Sequence, residues 1–138
     1  MLPAVLRSSV TDIDTSDPGR QYTILVVEDE SAVRDVVAQM LVARNFRVLV
    51  AADGHEALRL LQDHAVDLML TDVMMPGLSG YELALRARGL RPSVRILYTT
   101  GNDERAAGRD AALSYGKVIG KPLHARDLVR EIRLALAQ

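Results

Sequence analysis

Short apolar runs alternate with amphipathic stretches along most of this chain, beginning at Tyr22. Apolar runs that stop abruptly at acidic or turn-forming residues are typical of the buried strands of a parallel sheet. The pattern predicts strands over residues 22–27, 46–51, 66–72, 94–98 and 117–120.

A stretch with helical character follows each predicted strand. The apolar positions that recur with helical spacing in the first of these stretches are Val33, Val36, Val37, Met40 and Leu41. Ser79 and Glu82 have the spacing of a capping box at the start of the third helix, for which Gly89 and Pro92 are the expected stop signals. Residues 103–114 are rich in alanine but contain Gly108, so we expect a short or weak helix there. The apolar positions of the second and last helices are Ala57, Leu58, Leu61, Leu128, Val129, Ile132 and Leu136.

The repeated strand–helix order predicts an α/β fold. Parallel strands joined by right-handed helical crossovers form a sheet that is covered on both faces. Strand–helix repeats of this number and size suit a flavodoxin-like (βα)5 domain, a three-layer α/β/α arrangement whose five-stranded parallel sheet has the order 2-1-3-4-5. We expect one such domain over residues 21–138. Residues 1–20 are polar and turn-rich, which predicts a disordered tail or linker.

Composition narrows the function classes. The chain has 138 residues and a net charge of −1, so bulk electrostatics favour no nucleic-acid partner. It contains no cysteine, which excludes disulfides and thiol chemistry and fits a reducing compartment. No apolar stretch approaches the roughly 20 residues of a membrane span, and the start lacks a secretory signal. We therefore expect a cytoplasmic protein with no membrane partner.

Polar residues stand where four of the predicted strands end. Glu28 and Asp29 follow the first strand, Asp72 ends the third, Thr100 follows the fourth and Lys121 follows the fifth. In the 2-1-3-4-5 order these four strands are neighbours, and ligands of open α/β sheets bind at the carboxyl ends of the strands. Taken singly, each residue could equally be a cap, a loop hydroxyl or a solvated charge. Their convergence on one edge favours a site.

The residue types at this edge indicate phosphoryl chemistry. Three crowded carboxylates repel one another, and at least one takes up a proton unless a cation is present. Oxygen ligands without His or Cys select Mg²⁺-like ions. Asp72 could then act as a nucleophile toward a phosphoryl group, while Lys121 and the metal neutralise charge and Thr100 donates a hydrogen bond.

The same residues carry a resemblance to a known family. The segments concerned are Val26–Glu30, Leu70–Gly80, Tyr98–Gly101 and Lys121-Pro122. Together they resemble the receiver (CheY-like) domain of bacterial two-component response regulators, over about residues 21–138. Either a stand-alone regulator or a receiver excised from a hybrid histidine kinase fits this resemblance.

The resemblance implies a role for each site residue. Asp72 would be the phosphoacceptor, and Asp29, Asp72 and the backbone carbonyl of Met74 would bind Mg²⁺, with Glu28 helping through water. Thr100 would move toward the phosphoryl group, and Lys121 would pair with it. The resemblance also implies a cis peptide bond between Lys121 and Pro122.

Two departures from the family concern the switch. The family often has an aromatic residue three positions before its lysine, where this chain has Val118; Tyr115 is nearby but at the wrong spacing. We therefore expect the signal to travel through rearrangement of a loop and not through the family's coupled movement of a threonine and an aromatic residue. In the family, the positions occupied here by Met74 and Asn102 tune the lifetime of the phosphoryl group. The sequence does not indicate whether that lifetime is long or short.

The sequence therefore predicts a phospho-accepting receiver that is not an enzyme beyond slow self-dephosphorylation. Its donor would be a histidine kinase or a histidine phosphotransfer protein. Phosphorylation would alter the face of residues 103–138 and thereby its protein contacts, including a phosphorylation-dependent homodimer. The alternative is a pseudo-receiver that acts as an unphosphorylated adaptor. A phosphohydrolase of the haloacid dehalogenase type needs a second acid where Met74 stands, which disfavours that class.

Overall fold

The computed structural model describes residues 5–6, 20–101 and 109–138. Within these ranges a single sheet has six strands in the order β1-β3-β2-β4-β5-β6. The strands are β1 (Val5–Leu6), β2 (Thr23–Val27), β3 (Arg47–Ala51), β4 (Leu68–Asp72), β5 (Arg95–Thr100) and β6 (Val118–Gly120). Strands β2 to β6 are parallel, and counted alone they have the predicted order 2-1-3-4-5. The fold prediction is confirmed.

The first strand was not predicted. Val5 and Leu6 pair antiparallel with Leu49 and Val48 of β3, so that the edge of the parallel sheet carries a short additional strand. These residues belong to the segment expected to be a disordered tail. The rest of that segment up to residue 19 lies outside the described residues, and the domain bounds stay a prediction.

Helices cover both faces of the sheet because alternate strand residues point to opposite sides. The helices are α1 (Ser31–Val42), α2 (Gly54–Asp63), α3 (Gly80–Leu90), α4 (Arg109–Ala112) and α5 (Ala125–Leu136), with a 3-10 turn over Leu113–Tyr115. One apolar layer joins α1 and α5 to the sheet through buried residues such as Leu41 and Ile132. The other joins α2, α3 and α4 through residues such as Leu61, Leu83 and Ala112. No helix in the described ranges is long and apolar enough to cross a membrane.

The helix boundaries confirm one signal and correct another. The Ser79 side chain accepts from the backbone of Glu82, whose carboxylate accepts from the backbone N–H of Ser79, so the predicted capping box is present. Gly89 as a stop signal is wrong, because α3 continues through it to Leu90 and stops before Pro92, whose ring cannot continue a helix. Of the weak helix predicted over 103–114, residues 103–108 lie outside the described residues, and Arg109–Ala112 are helical.

A close approach between α3 and β4 requires a glycine at residue 80. A Cβ added to Gly80 would lie 2.2 Å from the carbonyl oxygen of Asp72. The Gly80 N–H also donates to the carbonyl of Val73 at 2.8 Å. The start of α3 is therefore pressed against the end of the strand that carries Asp72.

We expect Gly80→Ala to lower the free energy of unfolding by about 1–3 kcal/mol, because the backbone must shift to admit the methyl group. Gly89→Ala in the same helix is the matched control, since a Cβ there meets nothing within 4 Å. It should raise stability by about 0.5–1 kcal/mol through helix propensity. Urea unfolding of the two variants checks this; equal effects would contradict the close approach.

Candidate functional site

Three carboxylates meet at the carboxyl ends of the two central strands. The parallel register of β2 and β4 pairs Val27 with Thr71, so Glu28 and Asp29 follow β2 just where Asp72 ends β4. Glu28 and Asp72 are buried, whereas Asp29 is exposed. One oxygen of each carboxylate lies within 4.8 Å of one oxygen of the other two. The structure therefore brings together the three acids predicted from the sequence.

The ammonium group of Lys121 lies against two of these acids. Its Nζ donates to Glu28 Oε1 at 2.7 Å and to Asp72 Oδ2 at 3.1 Å. Lys121 follows β6, and the bond to Pro122 is cis, as the resemblance implied. The backbone N–H of Lys121 donates to the carbonyl of Thr100 at 2.7 Å, which joins the end of β6 to the end of β5.

Backbone and side-chain donors hold the acids in place. The guanidinium of Arg34 on α1 donates to the Glu28 carbonyl at 2.8 Å, and the Glu30 N–H donates to Glu28 Oε2 at 3.2 Å. The Met74 N–H donates to Asp72 Oδ1 at 3.3 Å. Both oxygens of Asp72 thus have a donor, one from the loop after β4 and one from Lys121.

Thr100 and Met74 are near the acids in the fold, but their predicted roles are untested. Asp72 pairs in register with Thr99, so Thr100 stands one residue beyond, opposite Gly120 of β6. The side chain of Met74 is 54% exposed beside the acceptor. The part of Thr100 toward a phosphoryl group and that of the Met74 carbonyl toward a metal stay predictions.

The pKa values of two groups at the site, Asp29 and Lys121, are shifted by burial and by their neighbours. Burial, a hydrogen bond with Glu28 and the charge of Glu28 raise the pKa of Asp29, although its own backbone and Lys121 act in the opposite direction. Burial alone would lower the pKa of Lys121, but its hydrogen bonds to Glu28 and Asp72 raise it overall. One ammonium therefore does not fully balance three carboxylates.

This donor set fits a hard divalent cation. Among the residues that the structure describes, the metal-ligating groups that converge here are carboxylates, and Mg²⁺ usually takes one or two carboxylates while keeping several waters. The exposure of Asp29 leaves an open side for those waters. The negative charge of Glu28 is one of the causes, after burial, that raise the pKa of Asp29, and a bound cation would oppose it.

Sequence reasoning missed two residues that connect the site to its surroundings. Arg34 donates to the carbonyl of Glu28 and so holds the loop that carries Glu28 and Asp29. In the sequence it is only a polar position on an amphipathic helix. Tyr98, two residues before Thr100, read as an ordinary strand residue, but its buried hydroxyl donates to the carbonyl of Ala112 at 2.7 Å. An aromatic residue on the same strand face as Thr100 was the available signal.

Comparisons with known proteins agree with this geometry. The family model described as the response regulator receiver domain matches residues 24–133. The chain is similar to the response regulator receiver protein CpdR of Brucella abortus, at 37% identity over 119 residues, covering 82% of this chain and 95% of CpdR. It is 36% identical to the response regulator MprA of Mycobacterium tuberculosis over 116 residues, which cover 82% of this chain but 50% of MprA. The chain thus spans about half the length of this second relative.

Solved structures show the same likeness. The receiver domain of the hybrid histidine kinase CckA is similar with a TM-score of 0.70 and 35% identity, over 83% of this chain and 98% of that one. The response regulator TrrA of Thermotoga maritima, solved in complex with Mg²⁺–BeF, has a TM-score of 0.75 and 25% identity, over 83% of this chain and 99% of that one.

We expect Lys121→Met to lower the free energy of unfolding by about 1–2 kcal/mol at pH 7, because it leaves three carboxylates without their ammonium partner. The pKa of Lys121 is raised in the folded protein, so its contribution is complete below the unfolded pKa and is lost as the pH rises through the folded one. The difference between wild type and variant should therefore disappear in strong alkali.

Lys117→Met provides the control for this titration. Lys117 pairs with Glu131 at 2.7 Å, but its side chain is 62% exposed. Exposed pairs contribute at most about 1 kcal/mol, so this variant should stay close to wild type. Urea unfolding across the pH range measures both variants. A larger effect at Lys117 than at Lys121 would contradict the charge balance described for the site.

Proposed function

Because this chain belongs to the response regulator receiver family of two-component systems, we propose that Asp72 accepts a phosphoryl group from a phosphohistidine. The donor would be a histidine kinase or a histidine phosphotransfer protein. The observation that carries the proposal is the setting of Asp72, a buried carboxylate 3.1 Å from the Lys121 ammonium and beside two further acids. In such a site Asp72 would be the nucleophile, and Lys121 would neutralise the negative charge of the phosphoryl group.

The transfer exchanges one bond to phosphorus for another. A carboxylate oxygen of Asp72 forms a bond to phosphorus while the bond from phosphorus to the donor imidazole nitrogen breaks. The imidazole leaves with that electron pair and takes up a proton from solvent. The products are an aspartyl phosphate and a neutral histidine, so the protein supplies position and charge more than bond-making groups.

Lys121 is already placed to respond to the new charge. An acyl phosphate adds about two negative charges and strong acceptor oxygens at Asp72. The ammonium now shared between Glu28 and Asp72 would pair with the phosphoryl oxygens. Thr100 would donate its hydroxyl to the same group, which draws the end of β5 toward Asp72.

Glu28, Asp29, Asp72 and the carbonyl of Met74 would hold Mg²⁺. The ion supplies positive charge against the phosphoryl oxygens as negative charge develops on them. The convergence of the three carboxylates supports this part of the proposal, as does the likeness to TrrA, whose structure contains Mg²⁺–BeF.

An apolar groove beside the acceptor would receive the donor protein. The groove has a volume of about 560 Å³ and lies between α1 and the residues after β6, with Lys121 in its lining. Val33, Val36 and Leu123 line it, and Val36 is 51% exposed. A donor helix lying there would bring its histidine next to Lys121 and the Asp72 carboxylate that Lys121 contacts.

The output would be a change in protein contacts through the face of residues 103–138, including the formation of a homodimer. In this proposal the protein catalyses no reaction beyond slow loss of its own phosphoryl group, and it acts in the cytoplasm. The pseudo-receiver alternative shares the fold and the groove but predicts that Asp72 stays unmodified.

Incubation with Mg²⁺ and acetyl phosphate should add one phosphoryl group to the wild-type protein, as measured by intact-mass spectrometry. Asp72→Ala should add none, because the nucleophile is gone. Asp53→Asn is the matched control, since Asp53 caps α2, is not one of the three clustered acids, and asparagine can keep that cap. It should be phosphorylated like wild type.

This experiment distinguishes a phosphoryl-accepting receiver from an unphosphorylated adaptor. Phosphorylation of Asp72→Ala would place the acceptor elsewhere and contradict the proposal. A wild type that takes up no phosphoryl group, and whose spectrum beryllofluoride does not perturb, would leave the adaptor function in its place.

We also expect Mg²⁺ to stabilise the wild type against thermal unfolding, by about 2.7 kcal/mol at a hundredfold excess over its Kd. Asp29→Asn should be more stable than wild type without Mg²⁺, because one repelling carboxylate is gone, and should gain little when Mg²⁺ is added. Glu30→Gln removes the same charge from an exposed neighbour and should keep the full Mg²⁺ response. An undiminished response of Asp29→Asn would remove that residue from the metal site.

A further inference from the structure

Tyr98 joins the strand of Thr100 to the helix-and-turn segment of residues 109–116. The Tyr98 side chain is completely buried, and its hydroxyl donates to the carbonyl of Ala112, the last residue of α4, at 2.7 Å. Its ring packs edge-to-face on Tyr81 of α3, with centroids 4.9 Å apart. Burial raises the pKa of Tyr98, so the hydroxyl keeps its proton and remains a donor.

The same segment is also held by the packing of Ala112 and Leu113 in the apolar core and by two further contacts that involve no side chain of β5. The guanidinium of Arg88 on α3 lies over the ring of Tyr115, 4.6 Å from its centroid. Gly116 presses against the strand so closely that an added Cβ would lie 1.7 Å from the carbonyl oxygen of Ile96. Tyr98 therefore supplies the side-chain hydrogen bond from the strand to this segment.

Tyr98 also stands next to the position where an aromatic residue is missing. In the parallel register of β5 and β6, Tyr98 is the partner of Val118, which lies three residues before Lys121. Thr100 follows Tyr98 by two residues, so both side chains point to the same face of the sheet. An aromatic side chain is thus present beside Val118, but it comes from the neighbouring strand.

We propose that Tyr98 is the positioning residue through which the state of Asp72 reaches the surface formed by residues 109–116. This rests on the proposed phosphoryl-accepting function. While Asp72 is unmodified, the Tyr98 hydroxyl holds Ala112 and keeps α4 on the sheet. When Thr100 is drawn toward the phosphoryl group, the end of β5 moves with it, the hydroxyl leaves the carbonyl of Ala112, and α4 is released.

The Tyr98 hydrogen bond meets this segment at the end of its helix. Ala112 is the last residue of α4 and is followed directly by the 3-10 turn at Leu113, so the bond to its carbonyl holds the junction of the two. Loss of that bond would loosen this junction. Regions that move in switches are drawn from the least stable parts of a fold.

Hydrogen exchange with and without beryllofluoride and Mg²⁺ tests the coupling, while the ¹⁹F signal of bound beryllofluoride reports the pocket separately. In wild type, beryllofluoride should speed amide exchange over residues 109–116 by roughly 3- to 10-fold, the range that one hydrogen bond supplies. Tyr98→Phe should still bind beryllofluoride. Its exchange over 109–116 should already be fast without the ligand and should not increase further.

Two controls separate coupling from loss of stability. Tyr22→Phe removes a hydroxyl from the residue just before β2, at the amino end of that strand, and should behave like wild type. Val48→Ala removes two buried methyl groups from β3, so it is destabilised, but it should keep the response over 109–116 because Tyr98 is intact. A response to beryllofluoride in Tyr98→Phe equal to that of wild type overturns the proposal, as does a wild type that binds beryllofluoride without a change over 109–116. Absence of the bound ¹⁹F signal in wild type overturns the phosphoryl-accepting function itself.

Discussion

The hydrogen-bonded contact of one ammonium with two buried carboxylates is the interaction on which the functional end of this protein depends. Lys121 lies 2.7 Å from Glu28 and 3.1 Å from Asp72, and a third acid completes the cluster. Removing the Lys121 ammonium would leave the buried carboxylates of Glu28 and Asp72 uncompensated. The site has three carboxylates and one ammonium, so its charges do not balance. Adding a cation or a phosphoryl group would change which partner Lys121 prefers.

The rest of the fold holds these charges at the required distance. Parallel strands bring their carboxyl ends to one edge, and the glycine at position 80 lets α3 begin against the end of β4. Arg34 fixes the carbonyl of Glu28 from α1. Strand β5 pairs with the strand that ends in Asp72, and its Tyr98 hydroxyl reaches the segment of residues 109–116, so β5 contacts both.

Much of this was accessible from the sequence because it depends on local patterns. Strand order, the capping box at Ser79 and the convergence of the acids with Lys121 all follow from periodicity, turn residues and the geometry of parallel sheets. The short strand β1 was missed because its pairing with β3 is long-range and two residues carry no periodicity. Gly89 was misjudged because packing of α3 outweighs the small helix penalty of one glycine. The role of Tyr98 required knowing which carbonyl its hydroxyl reaches.

Locating the modified residue directly is the sharpest test of the central claim, that the crowded acid at the end of β4 is the phosphoryl acceptor. Borohydride reduces an aspartyl phosphate to homoserine, so peptide mapping of the phosphorylated and reduced protein identifies the acceptor by a change in one residue. The charge arrangement predicts homoserine at position 72, formed only in the presence of both phosphodonor and Mg²⁺. Homoserine at position 29 or elsewhere, or none in a protein shown to carry the phosphoryl group, would contradict the account.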